Sequence, residues 1–207
     1  MNLVLDQWAQ RRNYVGLSIK CPTGVSAHMV VTPCLTASLL ARKYHFVCEN
    51  DVPGLLTQTI LGLLSDQMSA YWELYEVLND GILMGCCGFS PECLLAEAVK
   101  VRTFESVVVG MGCCSKIKEG RYTLARLGKE HEGGFALHCV EGQACQPPSW
   151  CEEALGPPQR PSVRFVPSVA VEQVMRWVLA QHFAVVPGSW ADALVEFAGI
   201  KGISCRQ

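Results

Sequence analysis

Two carboxylates, an imidazole and a thiol are the side chains of this sequence best suited to chemistry. Glu49, Glu73 and Cys86 fall within residues 46–88, and His182 lies far along the chain. Carboxylates and imidazoles act as general acids and bases and bind divalent ions, whereas thiolates prefer softer metals. The stretch 46–88 therefore concentrates metal-capable and acid/base groups.

Glu49 falls where a strand is expected to end and a helix to begin. Residues 44–49 are aromatic and β-branched, and Asn50 and Asp51 offer an N-cap ahead of Pro53. Apolar residues recur at three- and four-residue steps, which predicts one helix face lying on a sheet. These residues are Val52, Leu55, Leu56, Ile60, Leu63 and Leu64. In open α/β sheets ligands bind at such strand ends, so Glu49 is a candidate site residue.

A predicted hairpin positions Glu73 relative to Cys86. Residues 70–78 and 82–87 are strand-like, and Asp80-Gly81 between them is a strong turn signal. With Asp80 and Gly81 as the two loop residues, Cys86 lies opposite Tyr75, which shares a face with Glu73. This register predicts that Glu73 and Cys86 point the same way. A loop of odd length would instead put Cys86 on the other face.

The pattern of elements changes along the chain. Strands at 15–20 and 44–49 alternate with helices at 34–42 and from residue 51, which predicts a parallel sheet, with a loop through Pro22, Gly24 and Pro33. After Gly88, strand-like runs at 104–109, 121–127, 135–140 and 163–166 are separated by glycines, which favours an antiparallel sheet or barrel. Residues 146–167 are proline-rich and predict an extended surface loop.

Helices are predicted at both ends of the chain. Residues 1–12 form an amphipathic opening in which Leu3, Leu5 and Trp8 can face a core, and residues 169–180 carry valines in helical register. Residues 182–186 are strand-like, and Ser189 begins a capping box that opens a helix to Ala198. His182 thus stands at a helix-to-strand junction, a common position for a functional side chain, although a lone histidine is more often a core residue.

Composition excludes several classes of function. The net charge is -2 with no run of basic residues, which gives nucleic acid no electrostatic footprint. No stretch reaches the roughly 20 apolar residues of a membrane span, and the N-terminus is too short a run for a signal peptide, so we expect a cytoplasmic protein. Only 17% of residues are charged, against about a quarter in average domains. This deficit predicts buried surface beyond one monomer, in an oligomer or against a partner domain.

The twelve cysteines do not form a recognisable metal or disulfide framework. No C-x-x-C occurs, although structural zinc sites usually need that short loop. Without an export signal the thiols are expected to be reduced, and most of them to be small buried hydrophobes. A redox or metal-handling protein built on these cysteines stays open as the weakest of three hypotheses.

Three segments resemble one enzyme family in their order and separation. They are Cys48-Glu49-Asn50-Asp51, residues 120–127 (GRYTLARL), and residues 182–188 (HFAVVPG) followed by an acidic-aliphatic helix. Thr32-Pro33-Cys34 adds support, and Cys86-Cys87-Gly88 resembles a His-x-Gly turn of the same family. On these segments the chain resembles the C-terminal portion of L-fucose isomerase and L-arabinose isomerase.

The resemblance implies a fold of the α/β plus antiparallel β class. The end of a parallel α/β sheet, residues 1–66, would precede a β-barrel-like C-terminal domain with terminal helices, residues 67–207. It also implies a manganese-dependent aldose-ketose isomerase, in which Glu49 and Glu73 match the two acidic metal ligands and His182 the histidine ligand. Both glutamates would share the acid and base roles of an enediol mechanism. Zinc or cobalt are the alternative ions.

Cys86 stands where the family has histidine. A thiolate there would favour softer ions such as zinc, whereas a neutral thiol would leave a gap in the polar lining. The implied partners are a small-molecule sugar and further copies of the chain, in a trimer or hexamer, or the family's N-terminal domains on the same or another chain.

Alternatives that need no catalysis stay open for each residue. A catalytically silent sugar-binding or assembly module with the same fold is the second hypothesis. In that case Glu49 is a carboxylate stabilised by a helix N-terminus, Glu73 is a solvated strand residue and His182 belongs to the core.

Overall fold

The computed structural model describes residues 1–86, 88–105, 109–130, 133–150 and 161–207. Within these residues the chain forms a small parallel two-stranded sheet and a closed antiparallel barrel, with helices flanking both. This confirms the predicted fold class. The domain boundary between residues 66 and 67 stays a prediction. No helix in the described ranges is both long and apolar enough to cross a membrane.

The N-terminal part forms the parallel strand pair and its helices. Its elements are α1 (Asn2–Arg12), β1 (Gly16–Ile19), a π-helical turn (Cys21–Ser26), α2 (Ala27–Met29), α3 (Cys34–Leu40), β2 (His45–Cys48) and α4 (Val52–Ser65). Strands β1 and β2 run parallel, with Gly16 opposite His45 and Ile19 opposite Cys48. The segment predicted as a loop after β1 is mostly helical, because Pro22 presets the backbone for a first helical turn.

Helix α4 buries only part of the face that its apolar residues predict: Leu55, Ile60 and Leu64 pack partly against the core, and the other three do not. Val52 and Leu56 are exposed, and Leu63 is 78% exposed. The buried positions are mostly small or polar, namely Gly54, Thr57, Gln58, Leu61, Gly62 and Ser65. Small residues let the helix approach the strands closely, and the buried hydroxyls of Thr57 and Ser65 donate back to helix carbonyls.

Helix α1 likewise does not bury its large apolar residues. Leu3 is 74% exposed and Trp8 is 48% exposed, whereas the small Ala9 is fully buried. Of the three residues predicted to face the core, Leu5 packs partly against it. Contact through Ala9 brings the helix axis close to its neighbours and leaves the larger side chains at the rim.

Six strands of the described residues close into a barrel. They are β3 (Ala70–Leu78), β4 (Gly81–Gly85), β7 (Gly120–Lys129), β8 (Phe135–Cys145), β9 (Ser162–Pro167) and β10 (His182–Pro187), with β5 (Val101–Glu105) and β6 (Val109–Cys113) pairing separately. The order around the barrel is β8-β7-β10-β3-β4-β9 and back to β8, and every pair is antiparallel. A short strand, β11 (Ser204–Arg206), runs parallel to β8 outside this ring.

Most predicted strands occur close to their expected positions. The run at 104–109 is the exception, because it is divided between β5 and β6, and residues 106–108 lie outside the described part of the chain. Residues 151–160 of the predicted proline-rich loop, with Cys151 and Glu152-Glu153, also lie outside it, as do Cys87 and His131. Strand β9 occupies the end of that predicted loop.

The β3–β4 hairpin has a different register from the predicted one. Leu78 pairs with Gly81, so Asn79 and Asp80 are the two turn residues. A bulge between Leu74 and Glu76 adds a second shift, and Glu73 lies opposite Gly85. The predicted pairing of Cys86 with Tyr75, and with it the shared face of Glu73 and Cys86, is therefore wrong, because side chains alternate along a strand.

The C-terminal helices differ from prediction at their starts. Helix α5 (Val171–Arg176) is shorter than the predicted 169–180, and α6 (Ala191–Lys201) begins without the Ser189 capping box. Two side chains from the barrel accept hydrogen bonds at the start of α6: Thr123 Oγ1 from Trp190 N at 2.9 Å and Glu141 Oε1 from Ala191 N at 3.0 Å. These acceptors do the work of the local cap.

Two apolar clusters hold these layers together. The larger contains barrel residues such as Trp72, Tyr122, Phe165 and Phe183 together with Phe46 of β2. The smaller lies where α4 and α6 meet the barrel and contains Leu61, Ala125, Leu127, Ala184, Leu194 and Ala198 among others. Helix α4 packs against both sheets, and the end of β2 lies beside β3, which is where the candidate site lies.

Candidate functional site

Glu73 and His182 are direct neighbours on adjacent strands. In the antiparallel pair of β3 and β10, His182 lies opposite Glu73. Directly opposed residues project to the same face of a sheet, so the carboxylate and the imidazole emerge side by side. Both residues are half-buried, and Gln181 Nε2 donates a hydrogen bond of 2.7 Å to Glu73 Oε1. Two of the three predicted site residues are thus brought together.

The ring of Tyr71 packs against the imidazole of His182. Tyr71 precedes Glu73 on the same face of β3, and its ring stacks on that of His182 with centroids 4.5 Å apart and planes 8° from parallel. Tyr71 is 1% exposed. Burial, together with a hydrogen bond to the carboxylate of Asp51, raises the pKa of its phenol, so the hydroxyl stays protonated. The ring is therefore a fixed platform for His182.

Asp51 anchors this platform. Its Oδ2 accepts a 2.5 Å hydrogen bond from the Tyr71 hydroxyl, and its Oδ1 caps α4 by accepting from Gly54 N at 3.0 Å. Arg126 of β7 completes a two-pronged ion pair, Nη1 with Oδ2 and Nη2 with Oδ1, the latter at 2.9 Å. Through these hydrogen bonds the Asp51 carboxylate connects the start of α4 with β3 and β7.

The Asp51–Arg126 pair is largely removed from water. Their side chains are 14% and 7% exposed. Burial raises the pKa of Asp51, but hydrogen bonds from Arg126, Tyr71 and the Gly54 amide together outweigh it and leave the pKa below its ordinary 3.8. The carboxylate is ionised at neutral pH. Such a pair is costly to break, since the remaining partner would be a buried charge without compensation.

Gly54 is required beside this pair. A Cβ at this position would overlap the Asp51 carboxylate and press on Arg126 Nη1 at 2.9 Å. The first turn of α4 can therefore approach the ion pair only without a side chain there. In the segment Asp51-Val52-Pro53-Gly54, Asp51 caps the helix and Gly54 leaves space for the Arg126 guanidinium.

Glu49 occupies a strained turn just ahead of Asp51. Glu49 and Asn50 have left-handed backbone conformations, with φ of 62° and 59°. This costs a residue with a side chain roughly 1–2 kcal/mol. The turn directs the chain from β2 into α4 so that Asp51 points inward, and the exposed Glu49 side chain lies at the surface. Strain of this kind often accompanies functional sites.

Cys86 lies behind the platform. Its thiol is buried and donates to the backbone carbonyl of Tyr71 at 2.8 Å. The hydrogen bond ties the end of β4 to β3. Cys86 therefore contacts the backbone beneath Tyr71, away from the face on which Glu73 and His182 meet.

The structure brings two of the three predicted metal ligands next to each other. Among the described residues, no group of three or more His, Cys, Asp or Glu side chains is arranged to hold a metal ion. Glu73 and His182 are adjacent, whereas Glu49 is exposed in the turn after β2. The three-residue ion site stays a prediction.

Sequence reasoning missed the roles of Tyr71, Arg126 and Asp51. Asp51 was expected only as a helix cap, and Arg126 lies in the GRYTLARL segment without an assigned role. A signal was present, because a charged residue inside an apolar strand run such as residues 122–127 needs a buried partner. Its identity depended on α4 packing against β7, which no local pattern reveals.

A comparison with known families finds a match over the C-terminal part of the chain. Residues 89–206, more than half of the chain, match the family described as L-fucose isomerase, C-terminal domain. The matched range includes Arg126 and His182, and it begins after Glu49 and Glu73. A search of curated proteins finds no match.

Proposed function

Since the chain belongs to the L-fucose isomerase family by its C-terminal domain, we propose that it is a metal-dependent aldose-ketose isomerase, or the catalytic part of one. The observation that carries this proposal is the pairing of Glu73 with His182 on one half-buried face. The reaction would interconvert a deoxy or pentose aldose and its ketose through an enediol.

The residue types fit a divalent ion. Glu73 offers a carboxylate and His182 an imidazole, ligands that Mn²⁺, Zn²⁺ and Co²⁺ accept. Both side chains are half-buried and so keep part of their surface in contact with solvent. Glu49 is the proposed third ligand, because its turn leads into Asp51, which contacts the Tyr71 platform.

Each residue has a defined part in the proposed reaction. A bound divalent ion would supply polarisation of the sugar carbonyl and acidify the adjacent C–H bond. Glu49 and Glu73 would move the proton between C2 and C1, sharing the base and acid roles. His182 would be held in one orientation by the Tyr71 ring, which is fixed in turn by Asp51 and Arg126.

A noncatalytic sugar-binding or assembly module is the second candidate. The supporting observation is that the family match starts after Glu49 and Glu73 and so leaves both proposed acid/base residues outside it. In either case the low charge content supports association with further copies, in a trimer or hexamer, or with the family's N-terminal domains. Such contacts would complete the sugar pocket.

Metal content and isomerase activity test the two candidates. Purified protein would be incubated with Mn²⁺, Co²⁺ or Zn²⁺, desalted and analysed for metals, and L-fucose and pentoses would be assayed for ketose formation. We expect about one ion per chain, the stoichiometry of a single site, with loss in Glu73→Gln and His182→Gln. Glu76→Gln is the matched control, since Glu76 is exposed on the same strand.

The outcomes separate the proposals. Metal and activity that depend on Glu73 and His182, but not on Glu76, support the isomerase. A folded protein that binds neither metal nor converts any aldose, while still binding sugar or assembling, supports the noncatalytic module. Metal retained by Glu73→Gln and lost on cysteine alkylation would point instead to a cysteine site.

A further inference from the structure

Two thiols contact each other near the C-terminus, away from the site described above. Cys139 lies on β8 and Cys205 on β11, and their Sγ atoms are 3.7 Å apart. The distance corresponds to a weak hydrogen bond between sulfur atoms, in which one thiol donates to the other. Both cysteines fall within the range that matches the family.

Strand pairing holds the two thiols together. Cys205 lies opposite Leu137 in the parallel pair of β11 and β8, and Cys139 shares a face with Leu137 because side chains alternate. The two cysteines are therefore diagonal neighbours on one face.

Two further contacts fix the tail. Arg206 forms an ion pair with Glu130, and Gln173 Nε2 donates to the Gln207 carbonyl at 2.9 Å. These bonds are made by residues next to Cys205, so the approach of the two sulfurs follows from an anchored strand.

The two thiols differ in exposure and in acidity. Cys139 is fully buried, whereas Cys205 is half-buried. The hydrogen bond from Cys139 lowers the pKa of Cys205, and the same bond, with burial, raises the pKa of Cys139. The more accessible sulfur is thus the one that ionises, as expected for an attacking thiolate with a resolving thiol behind it.

We propose that Cys205 and Cys139 are a peroxide-sensitive pair that forms a reversible disulfide between β11 and β8. The Cys205 thiolate attacks one oxygen of a hydroperoxide, the O–O bond breaks, and Cys205 becomes a sulfenic acid. The departing hydroxide or alkoxide takes from solvent the proton that the Cys205 thiol had released, and leaves as water or an alcohol. Cys139 sulfur then attacks Cys205 sulfur, the S–O bond breaks, and water leaves with the Cys139 proton. Two thiols thereby supply the two electrons that reduce one hydroperoxide, and a dithiol reductant restores them.

The surroundings allow the sulfurs to close the remaining gap. A disulfide needs about 2.05 Å between sulfurs, so the side chains must move from their present separation. A cavity of 440 Å³ lies beside Cys139, lined also by Arg121, Glu141 and Gln207, so the packing next to this residue is not continuous. Strand β11 is short and, among the residues that the structure describes, pairs on one side only, which permits a small shift.

The bond would tie the C-terminal strand to the barrel. The closed loop would contain β9, β10 and α6, including the strand that carries His182. Because a disulfide restricts the unfolded chain, oxidation should raise the unfolding temperature of this part of the protein. This effect does not depend on a metal ion or a sugar.

The experiment compares oxidised and reduced protein. Native protein is treated with hydrogen peroxide, alkylated with iodoacetamide, digested without reductant and mapped by mass spectrometry. We expect a cross-linked peptide that joins Cys139 to Cys205 and about a tenfold loss of Cys205 alkylation. Cys93→Ser is the matched control, because Cys93 is exposed, lies elsewhere and should leave the cross-link unchanged.

Two variants separate the steps. In Cys139→Ser, sulfenic acid at Cys205 should accumulate and be trapped by dimedone, and in Cys205→Ser, Cys139 should stay reduced. If Cys139→Ser does not fold, the cross-link and its reversal by dithiothreitol in the unmodified protein decide the matter. Preferential oxidation of Cys93, or a cross-link from Cys205 to any other cysteine, would overturn the proposal.

Discussion

The ring of Tyr71 lies parallel to the imidazole of His182, 4.5 Å away between centroids and tilted by only 8°. The phenol of Tyr71 donates a hydrogen bond to the Asp51 carboxylate, which also accepts hydrogen bonds from Arg126 and from the Gly54 amide at the start of α4. The orientation of one half-buried histidine therefore depends on a chain of contacts that links both sheets. The testable consequences concern the ring, the ion pair, a buried histidine and a glycine.

Tyr71 can be altered in two ways that separate its hydrogen bond from its ring. Tyr71→Phe keeps the stack and removes the bond to Asp51, so the free energy of unfolding should fall by about 1.5–3 kcal/mol, as for a hydrogen bond to a charged group. Tyr71→Leu removes the ring as well. Urea denaturation measures the first effect.

Proton NMR measures the stack itself. The ring current of Tyr71 should shift the His182 Hε1 signal upfield in the native protein and in Tyr71→Phe, but not in Tyr71→Leu. His182→Gln assigns the signal. An unchanged His182 shift in Tyr71→Leu would show that the rings do not stack in solution.

Arg126→Met should be strongly destabilising. It leaves the buried Asp51 carboxylate without its cation, which costs about 3–5 kcal/mol in such pairs. Arg121→Met is the control, because the exposed Arg121 guanidinium pairs with Glu141 near the surface and should cost less than about 1 kcal/mol. Denaturant unfolding of Asp51→Asn, Arg126→Met and the double variant completes a cycle. Strict additivity of the two single effects would argue against the pair.

His138 should make stability depend on pH. Burial, with a smaller effect of the Arg206 charge, lowers the pKa of His138 to about 4 from an ordinary 6.5. In the unfolded chain His138 binds a proton below pH 6.5, whereas the folded chain resists it until about pH 4. The unfolded state therefore holds more protons in this window, and stability falls as pH drops through it.

The measurement compares unfolding free energies at pH 7 and pH 4. The native protein should lose up to about 3 kcal/mol more than His138→Gln, since one pKa unit corresponds to 1.36 kcal/mol. His28→Gln, at an exposed position, should follow the native protein. Equal pH dependence of the native protein and His138→Gln would contradict the burial of His138 as a neutral ring.

Two helix glycines should respond with opposite sign to the same substitution. Gly199→Ala in α6 meets no atom within 4 Å and should stabilise by about 0.5–1 kcal/mol, because alanine favours a helix over glycine. Gly54→Ala in α4 would overlap the Asp51 carboxylate, and it should cost about 1–3 kcal/mol through overpacking. Thermal or urea unfolding distinguishes them. Stabilisation by Gly54→Ala would show that α4 does not approach the ion pair so closely.

Local sequence patterns predicted most of the elements. Strand-like runs marked β7, β8 and β10, and Asp51 with Pro53 marked the start of α4 correctly. Signals of this kind depend on neighbouring residues only, since strand alternation and helix capping are short-range effects.

Predictions that relied on burial or register were less successful. The buried face of α4 is lined mostly by small and polar residues, and Leu61 is the one large apolar residue that the helix buries fully among them, because close packing against β7 and β10 favours small side chains. The bulge after Leu74 and the Asn79-Asp80 turn shifted the β3–β4 register, so Cys86 does not share a face with Glu73. Neither the packing of α4 nor the shifted register of β3 and β4 can be read from nearby residues, so the apolar periodicity alone gave the wrong answer.

The sequence by itself determined the α/β start, the antiparallel strands that follow it and the resemblance to the isomerase family. It also singled out Glu73 and His182, which proved to be neighbours. Only the tertiary structure decided that Asp51 turns inward to Tyr71 and Arg126 while Glu49 faces solvent. The physical reason is that a buried charge must find its partner in space, and the partner is chosen by how α4 packs on the barrel.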